Sequence, residues 1–336
     1  MRITFLLKGT KEVGSSRIRA IQFFPLFESE GIEVKCYSRN SLSNFFSNFF
    51  YWLKFLFSCF RSDLTFIQKP ILPFWIFNLL IFFKCKYIVD FDDAIWIDAK
   101  HKNHFNSLYS SYGLRLKKII KKASLVIVGS EYLKDEIYEN DLNSNVKVLR
   151  PSIQINLSKH IFEKKKVNIG WIGHSTNLHE IQDISNCLKR IVQKGSVELV
   201  ICTDKIPEDL NKWVKFIPWS EKNETLFFET CGIGLMPLKD NLRTRGRCGY
   251  KCIQYMANMI PVVASDVGVA KELIDHDASG VLIRNNHEWE REIERLINDP
   301  KKRQYIAQNA FDFIRLNCDR EINAIELLRL FYSVDI

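Results

Sequence analysis

The sequence predicts an α/β protein of two Rossmann-like, doubly wound domains that face each other across a cleft. Three observations carry this. Short apolar runs alternate with helical stretches through residues 1–150, the alternation stops over 151–166, and it restarts at 167. Strands and helices in strict alternation give a parallel sheet with helices on both faces. Right-handed crossovers then make each sheet doubly wound. A chain of 336 residues holds roughly two domains of ordinary size, each large enough to bury a core.

In the first half, strands are expected at Ile3–Leu7, Ile32–Cys36, Leu64–Gln68, Tyr87–Asp90, Leu125–Val128 and Val146–Leu149. Helices are expected near 16–30, 43–60, 73–83, 108–122 and 131–139. Residues 151–166 have no clear period, contain the run Lys164–Lys166 and read as an interdomain linker. Strands follow at 167–172, 197–202, 214–217, 232–236, 261–265 and 280–283, again separated by helices. The tail from 286 to 333 is helical, with a stop near Asp299–Pro300. The expected division is an N-terminal domain over 1–150, the linker over 151–166, and a C-terminal domain over 167–318. A last helix over 319–336 is expected to cross back to the N-terminal domain.

With 46% hydrophobic and 26% charged residues the chain is globular and not disordered. Its nine cysteines are odd in number and scattered, and no CxxC pair occurs. Cys248 and Cys252 lack a second Cys/His pair at zinc spacing. They read as reduced, buried thiols of a cytoplasmic protein and not as a disulfide framework. The opening MRITFLLKG reads as a first strand and not as a signal peptide, because its apolar run is short and Lys8 and Lys11 follow at once. No apolar run reaches the roughly 18 residues that span a bilayer. The net charge of +9 is concentrated in residues 1–150, with 22 Lys/Arg against 14 Asp/Glu, while 151–336 hold 26 against 25. The same half carries Phe45, Phe46, Phe49, Phe50, Trp52, Phe55 and Phe57 on one predicted helix, and a basic run at 115–122. Two readings stay open: a peripheral surface for an anionic membrane, or a helix packed on both sides.

Doubly wound sheets bind ligands at the carboxyl ends of their strands. In the stretch 232–283 a strand ends at Met236–Pro237, and a loop with Arg243, Arg245, Arg247 and Lys251 follows. The next strand, Pro261–Ser265, ends at Asp266–Val267–Gly268 before a helix. A diphosphate needs cations and free backbone N–H groups, which Arg, Lys and helix N-termini supply. The loop therefore reads as a phosphate site, with a solvated basic loop as the alternative. After the first strand, Gly14–Ser15–Ser16–Arg17 offers a close backbone approach and a cation, or a helix N-cap by Ser15 or Ser16. No GxGxxG follows that strand, which argues against a dinucleotide cofactor. His174, after a glycine turn, touches a phosphate or sugar, or else caps its turn. His101 and His104 are given no role.

The stretch GYKCIQYMANMIPVVASDVGVAKELIDHDASGVLI resembles the donor-binding region of the retaining, family 4 glycosyltransferases of GT-B fold. The similarity is to a bacterial branch in which a basic GK/R-x-G-[FY]-K loop precedes QYMA. It extends over nearly the whole chain. Gly170–Trp171–Ile172–Gly173–His174–Ser175 resembles the first strand and glycine turn of the C-terminal domain, and FIPWS, with Trp219, resembles the segment near the nucleobase. Gly14–Ser15–Ser16–Arg17, DFDDAIW at 90–96 and IVGSEYL at 127–133 resemble N-terminal motifs of that branch. The resemblance implies a hexosyltransferase-like enzyme of surface polysaccharide biosynthesis. It would move a sugar, with retention, from a nucleotide-diphosphate donor to a hydroxyl of a glycan or lipid-linked acceptor. Such an enzyme is cytoplasmic or peripheral on the inner face of the plasma membrane, with neither a metal, another cofactor nor nucleic acid as partner. The donor would meet Arg243, Arg245, Arg247, Lys251, Gln254, Gly173, His174, Trp219 and Gly268. Gly14, Ser15 and Arg17 would reach its phosphate from the N-terminal domain.

One departure stands out. Much of the family carries a Glu-x7-Glu pair, and here those positions are Gly246 and Gln254. Gln still hydrogen-bonds hydroxyls, so the neighbouring cations are expected to take over donor binding. The alternatives are a non-catalytic homologue that binds a nucleotide sugar or a partner, and a sugar-nucleotide epimerase. In the N-terminal half, Asp90, Asp92 and Asp93 cluster after a strand. They suit a metal, an acceptor sugar, or a loop fixed by caps. Asp90 belongs to the strand end, which leaves Asp92 and Asp93 as the catalytic candidates, with acceptor binding expected ahead of a metal.

Overall fold

The computed structural model describes residues 1–38, 45–70, 72–96, 111–155 and 167–335. Most of the expected linker lies outside the described residues, as do His101 and His104. The chain forms two compact units. Unit 1 holds Met1–Gln154, Gly246–Cys248 and Asp319–Ile336, and unit 2 holds Ile155–Arg245 and Gly249–Cys318.

Unit 1 contains the strands β1 (Arg2–Leu7), β2 (Glu33–Ser38), β3 (Leu64–Gln68), β4 (Tyr87–Phe91), β5 (Leu125–Val128) and β6 (Val146–Val148). They pair in parallel in the order β2-β1-β3-β4-β5-β6. Unit 2 contains β7 (Asn168–Ile172), β8 (Leu199–Thr203), β9 (Lys215–Pro218), β10 (Cys231–Met236), β11 (Val262–Ser265) and β12 (Val281–Ile283). Its parallel order is β12-β11-β10-β7-β8-β9. Read from its own first strand, unit 2 has the dinucleotide-fold order, and unit 1 begins with the flavodoxin-like order. The order reverses between β1 and β3 in unit 1 and between β7 and β10 in unit 2. Those reversals open the crevices in which such sheets bind ligands.

The strands form where the sequence runs apolar without interruption, because both faces are covered. Every residue of β3, β4, β5, β7 and β8 is buried. The edge strands β2 and β9 are half exposed and carry lysines, a composition that blunts an open edge. The expected helix over 16–30 is instead three pieces: Gly14–Arg19, a 3-10 turn Ile21–Phe23, and Phe24–Ser29. Pro25 sits in the first turn of the last piece, where its missing N–H costs nothing, but it cannot lie inside a continuous helix.

At the tail, Asp299 accepts from the Lys302 backbone N–H at 2.9 Å and caps the helix Pro300–Asn317, with Pro300 at its start. The helix Arg320–Asp335 then belongs to unit 1. The Arg320 N–H donates to the Ile153 carbonyl at 3.0 Å, and the Asn323 amide donates to the Arg150 carbonyl at 2.8 Å. The Phe331 ring is buried 5.5 Å from that of Phe27 and 6.1 Å from that of Phe66.

Candidate functional site

At the carboxyl end of β7, buried Trp171 is followed by Gly173 and His174. The Lys251 ammonium, from the helix Tyr250–Ala257, lies 4.3 Å from the Trp171 ring centroid and donates to Glu180 Oε2 at 2.8 Å. The same oxygen accepts from Trp171 Nε1 at 3.3 Å. The Glu180 side chain is only 3% exposed, so this ion pair is held inside the fold. Lys251, expected to offer its charge to a phosphate, already stands in an ion pair with Glu180. Gly173 is required by the same packing, since a Cβ there would lie 2.9 Å from the Trp171 ring and 3.0 Å from Lys251 Cε. His174 is exposed and caps the turn Ser175–Asn177, its Nδ1 accepting from the Thr176 N–H at 3.3 Å, and its Nε2 stands 3.6 Å from Asp204 Oδ2. Burial works against the Asp204 charge, but hydrogen bonds from the Ser175 backbone and hydroxyl outweigh it and keep this carboxyl below its usual range.

The four cations of the basic loop have separate surroundings. Arg245 makes a two-point pair with Asp240, at 2.6 and 2.8 Å, and that pairing holds the Asp240 carboxyl below its usual range. Lys251 is on Glu180. Arg247 is grouped with unit 1. Arg243 is exposed and makes no ion pair among the described residues, which leaves it the cation most open to an anion. Gly268 has φ +54°, and a Cβ there would lie 2.6 Å from the Arg245 carbonyl oxygen, so backbone packing alone demands glycine.

Three side chains gather at the carboxyl end of β9. The Trp219 N–H donates to the Thr203 carbonyl at 2.8 Å, and Ser220 caps the helix Glu221–Thr230. Glu224 accepts from Trp219 Nε1 through Oε2 and from Gln254 Nε2 through Oε1, both at 2.9 Å. Gln254 is buried, while Trp219 is 40% exposed. The result is an indole face of fixed orientation beside a carboxylate and an amide, groups that stack on a planar ring and hydrogen-bond hydroxyls. Sequence reasoning missed Glu224. An acid in the first turn of a helix is explained by the helix dipole alone, and nothing local marks its second task.

In unit 1, Gly14 opens the helix Gly14–Arg19, and a Cβ there would meet nothing within 4 Å. The expected alternative of a Ser15 or Ser16 cap is corrected, because Val13 is the N-cap and no side chain caps it. Ser16 instead donates to Gln68 Oε1 at 2.9 Å and accepts from the Gly9 N–H at 3.1 Å, and the Ser15 carbonyl accepts from Gln68 Nε2 at 2.8 Å. These bonds fasten the ends of β1 and β3 at the reversal point. Arg17 reaches the Lys11 carbonyl at 3.4 Å.

The acidic cluster is divided by burial. Asp90, inside β4, forms a fully buried pair with Arg19, which also donates to the Leu149 carbonyl. The Lys69 ammonium stands 2.7 Å from Asp92 Oδ1 and 2.6 Å from Asp93 Oδ2. Burial works to discharge Lys69, but the two carboxylates outweigh it and hold its pKa above the ordinary lysine range. Asp92 was expected to be open to an acceptor. It is 7% exposed and shut behind Lys69, whereas the Asp93 side chain is 51% exposed. All nine cysteines are free thiols, and burial pushes Cys59, Cys202 and Cys252 up to about 12, too high for nucleophiles at neutral pH.

Residues 191–313 match the family model described as glycosyl transferases group 1. No curated protein sequence matches the chain. Among solved structures, the chain is similar to the sucrose-phosphate synthase of Thermosynechococcus elongatus, at 13% identity and a TM-score of 0.77, over 99% of each chain. It is similar to Anabaena HepE in complex with UDP and glucose, at 17% identity and a TM-score of 0.73, over 99% of this chain and 100% of that one. A glycosyltransferase from Rickettsia africae matches at 13% identity and a TM-score of 0.70, over 99% of this chain and 98% of that one. The chain therefore has the fold of GT-B glycosyltransferases: two Rossmann-like units with six parallel strands each.

Proposed function

We propose that the chain is a glycosyltransferase that moves a sugar from a nucleoside diphosphate to a hydroxyl of a glycan or lipid-linked acceptor, with retention, in surface polysaccharide synthesis. Unit 2 takes the donor and unit 1 the acceptor. The Trp219–Glu224–Gln254 cluster carries this reading. It presents a stacking face and hydroxyl-binding groups at the carboxyl ends of a dinucleotide-type sheet, within the stretch that matches the glycosyl transferase model. Arg243 supplies a cation for the diphosphate, with Arg245, Arg247, Lys251, Gly173, His174 and Gly268 shaping the surroundings. Gly14, Ser15 and Arg17 serve the phosphate side, and Asp92 and Asp93 serve transfer. Catalysis is then positioning plus stabilisation of the leaving diphosphate. No metal is invoked: Lys69 offsets one of the two negative charges of the paired aspartates.

The test is release of nucleoside diphosphate from UDP-glucose, GDP-mannose and TDP-glucose by the purified chain, with and without EDTA. Release from at least one donor, unchanged by EDTA, is expected. Binding without release would support the non-catalytic reading, which one observation favours. A Cβ at Gly246 would lie 2.5 Å from that of Ala94 within unit 1, so that position has no room for the family's first carboxylate. Loss of release with EDTA would overturn the metal-free account.

The N-terminal unit also carries a surface suited to the inner face of a membrane. The helix Phe45–Phe60 turns Trp52, Phe55 and Leu56 into the core and leaves Phe49, Phe50, Leu53, Phe57 and Phe60 exposed. The helix is thus packed on one side and exposed on the other. Trp75, Phe82 and Phe83 are exposed beside it, with Phe49 6.1 Å from Trp75 and Phe60 4.6 Å from Phe83. Arg61 lies 4.2 Å from the Phe57 centroid. No helix among the described residues is long and apolar enough to cross a membrane, so the contact would be peripheral. Each nearby Lys or Arg adds about 1 kcal/mol of attraction to anionic lipid, weakened by salt, while inserted rings resist salt. Binding to vesicles containing phosphatidylserine should fall, but not vanish, as salt rises. Phe50→Ser with Phe57→Ser should reduce it without unfolding the protein. Indifference to anionic vesicles at low salt would refute this part.

A further inference from the structure

We propose that Lys69 is a positioning residue that keeps Asp92 and Asp93 ionised and fixed at the carboxyl end of β4, so that Asp93 is presented to the acceptor hydroxyl. The proposal rests on the transfer reading above and gives the acidic pair a third member from another strand.

The geometry is specific. Lys69 follows β3, which pairs with β4 along Thr65↔Tyr87 to Gln68↔Asp90. Its N–H continues that ladder by donating to the Asp90 carbonyl at 2.7 Å, and the chain then leaves the sheet. At that step Lys69 takes φ +45°, in the left-handed region that residues with a Cβ rarely adopt. Pro70 follows at once, which restricts the residue before it further. A side chain held in such a conformation and 8% exposed marks a place where function over-determines local preference. The ammonium reaches both carboxylates and closes them together. The loop is also shut from the β5 side, since a Cβ at Gly129 would lie 3.3 Å from Asp92 Cα. Asp92 is the buried anchor and Asp93 the exposed group.

The surrounding charges explain why the lysine is needed. Arg19, on the helix Gly14–Arg19, is committed to Asp90, though Asp92 and the Cys248 thiol also lie within its electrostatic reach. With Arg19 committed to Asp90, Lys69 is the cation that the ion pairs among the described residues place on both Asp92 and Asp93. Without it, the two adjacent carboxylates would repel one another with no ammonium between them and would bind protons more tightly, and a protonated Asp93 could no longer take up the proton of a hydroxyl.

The test uses the full chain as wild type, Lys69→Gly, Lys69→Met and Lys69→Arg. Glycine adopts φ +45° without penalty, so it removes the amine while keeping the backbone. The carboxyl titrations are read by carbon-13 NMR of labelled aspartate, and UDP release from UDP-glucose is followed against pH. In the Gly and Met variants, the proton affinity of Asp92 and Asp93 should rise about tenfold or more, one pH unit in midpoint. The acid limb of the UDP-release profile should move up with it, with KM for UDP-glucose unchanged, and Arg should restore much of both. Unmoved aspartate titrations in the Gly variant would overturn the proposal. Moved titrations with an unmoved rate profile would overturn the role in transfer while leaving the donor reading intact. A wild type that releases no UDP while its aspartates respond would count against the transfer reading itself, and the role of Lys69 in transfer would fall with it.

Discussion

Arg19→Met is expected to destabilise unit 1 by about 3–5 kcal/mol, the range for removing one partner of a buried ion pair. The side chains of Arg19 and Asp90 are 2% and 1% exposed, so water cannot take over from the guanidinium. Asp90 would be left as an uncompensated charge between β3 and β5, and the Leu149 carbonyl would lose its donor. Asp90→Leu added to Arg19→Met should recover most of the loss, because two apolar groups of similar volume leave no buried charge unpaired and only the Leu149 carbonyl still lacks the Arg19 donor. Urea unfolding of the two variants measures this. A single-variant loss below about 1 kcal/mol would mean that the site is wetter than the packing indicates.

Lys251→Met is expected to destabilise unit 2 by about 3 kcal/mol, near the lower end of the same range, because Lys251 is 18% exposed while its partner Glu180 is 3% exposed. Glu180 would lose its ammonium partner while keeping the Trp171 indole as a donor, and the ammonium would vanish from the Trp171 face. Combining Lys251→Met with Glu180→Gln should restore part of the stability. Arg243→Ala is the contrasting case. An exposed arginine without an ion pair should change stability by less than about 0.5 kcal/mol. If it binds diphosphate, its loss should weaken nucleotide affinity by about 1.5–3 kcal/mol. Equal stability losses in Lys251→Met and Arg243→Ala would contradict the division of the loop described here.

The central strands were legible because burial on both faces leaves apolar runs, and their carboxyl ends fall where polar residues return. The break near Pro300 was legible from proline chemistry, whereas the one near Pro25 was not, since a single helix was expected over 16–30. The partners of the charged residues were not legible. Glu180 stands 71 residues before Lys251 and Asp90 71 residues after Arg19, and no local pattern records such pairings. Lys69 drew no attention in the sequence, because its backbone angle and its two carboxylate partners are set by tertiary structure. Glycines were visible, but their reasons were not. Gly173 and Gly268 are accounted for by neighbouring side chains and backbone, where the sequence suggested room for a ligand.

The central claim is that unit 2 holds a nucleoside diphosphate sugar through the Trp219–Glu224–Gln254 cluster. The most direct measurement is a thermal-shift series with UDP, GDP, TDP and their glucose or mannose conjugates, on the wild type and on Glu224→Ala. A ligand present at 100 times its Kd stabilises the folded state by about 2.7 kcal/mol. The account predicts that at least one nucleoside diphosphate raises the unfolding temperature of the wild type, and that the same concentration raises that of Glu224→Ala much less. A wild type that no nucleotide or nucleotide sugar stabilises, or a Glu224→Ala variant that responds as fully as the wild type, would contradict it.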